Sequence, residues 1–178
     1  MMKKSVLLFL ALGLPVSIFL FLHFFGRNEF DIPVYYQSIS GEIPADCSIE
    51  HQFPYTITKS KFALSGTSVV FFASDLSTNE LEESVFQLDR IFNEFENSAL
   101  QLFTVLHSQD SMSSLDVANA IVLDKETYNR EQQCVFLANG NRLILIDSLR
   151  QIRGLYPKAT LKEVDRLILE LKILLKEY

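Results

Sequence analysis

The 178-residue sequence predicts a mixed α/β sheet with helices on both faces, preceded by one membrane-spanning helix. Three observations carry that prediction. Two short apolar runs, TSVVFFA at 67–73 and LQLFTVL at 100–106, flank a stretch with helical periodicity. The chain closes on a hairpin pattern, NRLILIDSLRQIRGLYP, followed by an amphipathic stretch, KATLKEVDRLILELKILLKEY. It opens on 21 residues without a formal charge unless His23 is protonated, from 5 to 25.

The opening run follows Lys3 and Lys4. At about 1.5 Å per residue it spans roughly 31 Å, the thickness of a bilayer core. A cleaved signal peptide would be shorter and leave through small residues, whereas this run ends in Phe24 and Phe25. Length and exit favour an uncleaved anchor, with Pro15 tolerated as a kink. The lysines outnumber Arg27, so residues 1 to 4 stay in the cytoplasm and the rest lies outside, in the periplasm of a bacterium with two membranes. Residues 26 to 50, with two prolines, a glycine and scattered polar residues, read as an extended linker with a short edge strand at Val34-Tyr35-Tyr36. The folded domain is then residues 51 to 178.

Within it, Tyr55 to Ile57 can add a strand, and TSVVFFA reads as a fully buried central one. Ser77 and Glu80 form a capping box for a helix of about 20 residues whose apolar stripe is Leu81, Val85, Leu88, Phe92 and Phe95. LQLFTVL returns as a second buried strand, parallel to the first because a helix joins them. His107 to Asp116 is a polar loop, Ala118 to Leu123 a small strand, and Lys125 to Gln133 is compatible with a helix. Apolar runs on either side of Asp147-Ser148-Leu149-Arg150 make the hairpin, which ends at Pro157. Thr160 and Glu163 form a second capping box, for a helix with Leu161, Val164, Leu167, Ile168, Leu171 and Leu174 on one stripe. The order β-α-β, connection, β-β-α is that of a thioredoxin-like domain.

Composition narrows the function. The net charge is −6, with no basic stripe, which argues against nucleic acid because phosphate contacts need clustered Lys and Arg. No serine-hydrolase elbow, zinc-protease helix motif or glycine-rich phosphate loop is present. Glu80, Glu82 and Glu83 complement the dipole of the helix they open.

The closing stretch LILIDSLRQIRGLYP with EVDRLILELKILLKEY resembles the last hairpin and helix of the SCO/SenC proteins. Those are membrane-anchored thioredoxin-fold copper chaperones of cytochrome oxidase assembly. VVFFASD resembles the first core strand of that family and LQLFTVL its second, so the resemblance covers residues 50 to 178. It implies a copper site of two cysteines in a C-x-x-x-C loop after the first strand and one histidine before the hairpin. Here those positions fall on Asp75, Asn79 and Asn139. Their hard oxygen atoms are poor partners for Cu(I), which prefers soft sulfur. No copper or other cofactor is therefore expected, nor a catalytic residue. Asp75 and Asn79 read as a loop-to-helix turn, and Asn139-Gly140 as a turn.

Cys47 and Cys134 lie 87 residues apart and form no redox motif. In an oxidising compartment they are most simply one structural disulfide, which could contribute about 4 kcal/mol by the chain-entropy argument. The sharper alternative is a relocated metal site using Cys47, His51 and Cys134. His107 is expected to be a solvated loop residue and His23 to face headgroups. The resulting expectation is a non-enzymatic membrane accessory in respiratory-complex assembly. Its rivals are a thiol-disulfide or copper-handling protein using Cys47 and Cys134, and an interaction module without a redox role.

Overall fold

The computed structural model describes residues 11, 13–21, 23, 31–38, 47, 51–108 and 119–175. It divides into two compact units, Met1–Asp31 and Ile32–Tyr178. In the first, residues 11, 13–21 and 23 are helical, and Ser17 Oγ donates to the Leu14 carbonyl at 2.9 Å. The predicted span from 5 to 25 lies partly outside the described residues. Among the described residues, no helix is long and apolar enough to cross a membrane.

The second unit is a five-stranded mixed sheet of thioredoxin-like topology, ordered β3-β2-β1-β4-β5. β1 is Ser68–Phe72, β2 Gln101–His107, β3 Ala120–Leu123, β4 Leu143–Ile146 and β5 Ile152–Tyr156. The helices are α1, Thr78–Glu94, α2, Lys125–Arg130, and α3, Leu161–Leu175. α2 runs directly into a π-helical turn, Glu131–Val135. β1 pairs in parallel with β2, and β2 with β3. β4 joins the other side of β1 antiparallel and carries β5 as its hairpin partner. β1 is central and buried at every residue, which is why its sequence is continuously apolar from Val69 to Phe72.

Alternate residues of the central strands feed two cores. Val69, Phe71, Leu143 and Leu145 face α1 and α3, meeting Leu88, Ile91, Phe95, Val164, Leu167 and Leu171. Val70, Phe72, Ile144 and Ile146 face Tyr128 of α2, Val135 and Phe136 of the turn, and Tyr55, Ile57 and Leu64. The 55–57 segment forms no strand. Its backbone reaches the hairpin from Ile57 N–H to the Arg150 carbonyl at 2.9 Å. Likewise, the predicted edge strand at 34–36 forms no strand: Tyr36 adopts φ of 57°, and among the described residues the segment reaches the sheet through Tyr35 N–H to the Ile152 carbonyl at 2.9 Å.

The capping box on α1 forms as predicted: Ser77 Oγ accepts from Glu80 N–H at 3.4 Å, and Glu80 Oε2 accepts from Ser77 N–H at 3.2 Å. The buried stripe differs. It comprises Leu81, Ser84, Gln87, Leu88, Ile91 and Phe95, while Phe92 is exposed and Val85 half-buried. α1 carries apolar residues on two faces, and the predicted stripe found Leu81, Leu88 and Phe95 of the buried face but missed Ile91. Ser84 is buried without an apolar side chain because its hydroxyl donates to the Glu80 carbonyl at 2.6 Å. In α3 the stripe narrows to Val164, Leu167 and Leu171, and Leu161 is exposed.

The IRGLY segment locks the hairpin to α3. Gly154 and Tyr156 share one face of β5, and the Tyr156 ring lies back over Gly154. A Cβ on Gly154 would sit 2.8 Å from both Cε2 and Cζ of that ring. The Tyr156 hydroxyl donates to Glu170, and Arg166 stacks its guanidinium 4.4 Å from the ring centroid. Burial and the Glu170 carboxylate hold the Tyr156 hydroxyl protonated far above its ordinary range. A side chain at 154 must therefore push a fully buried ring off its partners. Gly154→Ala is expected to cost about 1–3 kcal/mol, the usual range for overpacking. In urea unfolding the midpoint should fall with the slope unchanged. An unchanged midpoint would show that the ring can swing away freely.

Candidate functional site

The loop after β1 is organised by Ser74. Its N–H donates to the Tyr128 hydroxyl at 3.4 Å, and its Oγ accepts the His107 backbone N–H at 2.8 Å. Its carbonyl accepts from Arg142 Nη1 at 2.6 Å. Three elements therefore meet on one residue: the end of β2, helix α2 and the start of β4. Asp75 follows with φ of 60°, a left-handed conformation that aspartate tolerates better than most side chains. Its carboxylate is exposed, and Oδ1 stands 3.6 Å from His107 Nε2.

His107 corrects the expectation of a solvated loop residue. It is the last residue of β2 and is buried, its ring edge-on to Tyr128 with centroids 5.6 Å apart. Tyr128 sits edge-on to Phe72 in turn, and burial pushes its hydroxyl above the ordinary phenol range. Tyr128 comes from the polar stretch KETYNR, so periodicity gave no hint that it would roof the histidine. The arrangement sets a buried imidazole beside an exposed carboxylate. Ser74 meets the backbone of His107 rather than its ring, so the geometry assembles no hydroxyl nucleophile on a base.

The other two positions implied by the copper-site resemblance go elsewhere. Asn79 is an exposed residue of the first turn of α1. Asn139 adopts φ of 46°, and its Nδ2 donates to the Tyr36 hydroxyl at 3.1 Å, which itself donates to the Leu137 carbonyl at 2.8 Å. Asn139 is thus a loop brace. Beside the loop, on the α1 and α3 side, a cleft of about 100 Å³ is lined by Leu76, Glu80, Arg142 and Lys158. Lys158 pairs with Glu80 at 2.9 Å and, with Ser77, holds that carboxyl down at about 2. Among the described residues, no group of three or more His, Cys, Asp or Glu side chains could share a metal ion.

Cys47 and Cys134 are joined in a disulfide with Cα atoms 5.5 Å apart. The relocated metal site loses both sulfurs to that bond. Its third member, His51, is hydrogen-bonded through Nε2 to the Cys134 carbonyl at 2.7 Å and packs against the Tyr55 ring. Cys134 belongs to the π-helical turn, which opens on a residue that sequence reasoning missed. Glu131 is completely buried; its Oε2 accepts the Lys61 N–H at 3.1 Å, and Arg130 stands 3.4 Å from Oε1. Tyr55 bonds to the other end of the turn, its hydroxyl donating to the Val135 carbonyl at 2.7 Å. Burial, and then the nearby Glu131 charge, push Tyr55 up to about 12.

No family model matches the chain, and no curated protein matches it. Among solved structures it is similar to the crystal structure of yeast Sco1 with copper bound, at 17% identity and a TM-score of 0.41, over 65% of this chain and 81% of that one.

Burial raises the Glu131 carboxyl above its ordinary 4.5, against the hydrogen bonds and cations around it. The folded state therefore holds that proton more tightly than the unfolded chain does. Its contribution to stability is complete below about 4.5 and is lost as pH rises through the raised value. Glu131→Gln keeps an acceptor for Lys61 without the buried charge. It is expected to be more stable than the parent at neutral pH, with the gap closing in acid, when thermal melts are compared across pH. A gap that stays constant with pH would remove Glu131 as its source.

Proposed function

We propose that this chain is a thioredoxin-fold accessory protein, held at a membrane by residues 5 to 25, that acts by contact rather than chemistry in the assembly of a respiratory complex. The observation that carries this reading is where the sulfur lies. Both cysteines are bonded to each other at the π-helical turn, while the loop after β1 offers Asp75 and Asn79. Carboxylate and amide oxygens are hard ligands that match Cu(I) poorly. A dithiol redox cycle needs two accessible sulfurs in one reactive motif, whereas these are 87 residues apart and tie separate segments together. The scaffold features behind the SCO/SenC resemblance have structural roles of their own, seen in Gly154 over Tyr156 and in the Asp147 turn. A chain can therefore keep that signature without keeping copper. The anchor reading rests on the apolar run and its flanking lysines, and the respiratory partner on the resemblance.

Two measurements on the full chain in detergent test the proposal. Cu(I) competition against a chromogenic chelator is expected to show no tight stoichiometric uptake, and alkylation without denaturant to find no reactive thiol even in mild reductant. One copper retained per chain, or a bridge that opens readily, would favour the copper-handling or thiol-disulfide rival. Co-purification from solubilised membranes then separates the remaining readings, since recovery with oxidase subunits is expected and recovery only with unrelated proteins points to a general interaction module.

A further inference from the structure

The end of the sheet opposite Asp75 carries a feature that none of this uses. There the β4–β5 turn meets the 57–64 segment around a groove of about 270 Å³ lined by Ile57, Thr58, Ser60, Lys61, Phe62 and Arg150, among others. No carboxylate lines it, in a chain of net charge −6. Lys61 and Arg150 form no ion pair among the described residues, and Lys59 is exposed on the same segment. The Ser60 hydroxyl is engaged by the Glu131 carboxylate, which leaves Lys61, Arg150 and the Thr58 hydroxyl as groove-lining groups of the kind that bind a phosphate.

Next to Arg150 stands Leu149, 70% exposed, more than any other large apolar side chain described. It is held there. Asp147 Oδ1 accepts the N–H groups of Leu149 and Gln151, both at 2.9 Å, and Asp147 Oδ2 pairs with Arg153 at 3.1 Å. Arg153 also donates to the Ile32 carbonyl at 2.6 Å, so the chain enters this unit at the same end. Six residues, 26 to 31, separate Ile32 from the end of the predicted span, a reach of about 25 Å at most.

We infer that this end docks on an anionic phospholipid bilayer, with Lys61 and Arg150 taking lipid phosphates in the groove and Leu149 entering the interface. The inference rests on reading residues 5 to 25 as an anchor. Acidic groups elsewhere on the domain are repelled by such a surface, which favours one orientation. An apolar residue beside cations suits the boundary between headgroups and acyl chains.

The chain has no tryptophan, so Leu149→Trp gives a single reporter in the full-length protein. Reconstituted in phosphatidylcholine vesicles with and without phosphatidylglycerol, the new indole is expected to be quenched by brominated lipid only in the anionic vesicles. Lys61→Gln and Arg150→Gln should each lower the docking constant about fivefold, the share of one basic residue near an anionic surface. An indole that stays aqueous in both vesicles overturns the inference, as does quenching indifferent to both substitutions. Inorganic phosphate binding in the groove without vesicle docking, or quenching that appears only at high chain density, also overturns it, in favour of a free-anion site or a second copy. Alkaline carbonate extraction reports the anchor separately. A chain retained in the membrane with an aqueous indole loses this inference alone, and a chain released by carbonate loses the anchor reading.

Discussion

The π-helical turn from Glu131 to Val135 is the constraint on which one whole face of the sheet depends. Four connections fasten the N-terminal segment to those five residues: the Cys47–Cys134 disulfide, His51 to the Cys134 carbonyl, Tyr55 to the Val135 carbonyl, and the Lys61 N–H to Glu131. A π-helical turn widens the hydrogen-bond ladder, as in the bond from Phe136 N–H to the Glu131 carbonyl at 2.8 Å. The carbonyls of Cys134 and Val135 then accept from side chains of the segment. Burying Tyr55, Ile57 and Leu64 over Phe72 and Ile146 contributes about 1.5–3 kcal/mol per side chain. Burial supplies the energy, and the turn decides which residues of an irregular segment are buried. α2 has six residues and buries Tyr128, too little to cover that face alone.

The opposite face is covered by regular structure and is held by a different device. Tyr156 packs over Gly154, reaches Glu170 and lies under Arg166, which also contacts Glu163 at 3.4 Å. This set joins β5 to α3 and touches none of Asp75, Asn79 or Asn139. Selection for a stable hairpin-helix junction would keep it whatever the loop after β1 does. Function therefore has to be argued from the site rather than from this junction or the fold.

What the sequence made legible follows the same division. β1 was readable because a strand buried on both faces can carry only apolar residues, and Val69 to Phe72 do. The start of α1 was readable because Ser77 and Glu80 satisfy each other locally. The hairpin followed from two apolar runs around Asp147, and the cysteine pair from an even count of two. The rest depended on contacts distant in sequence. His107 is buried because Tyr128 arrives from a polar helix 21 residues on, and Gln87 because it lies on the buried face of α1 beside Leu88 and Ile91. Glu131 looked like one more polar residue of a helix, and its burial follows from the turn that Lys61 and Tyr55 close.

The two ends of the sheet are built for different work. At the Asp75 end, Ser74 spends its N–H, hydroxyl and carbonyl on Tyr128, His107 and Arg142, and those bonds fix the loop before any ligand arrives. Asp75 and Asn139 hold left-handed backbone there, which costs of order 1 kcal/mol each and persists because the surroundings over-determine it. A loop so held presents the exposed Asp75 carboxylate in one position. At the far end, Ile32 bonds through its carbonyl to Arg153, Leu149 is held exposed in the hairpin turn, and Arg150 of that turn lines a groove with Lys61. Arg153 bridges Asp147 of the turn to the Ile32 carbonyl, so the turn that presents Leu149 and the start of this unit are parts of one hydrogen-bonded network.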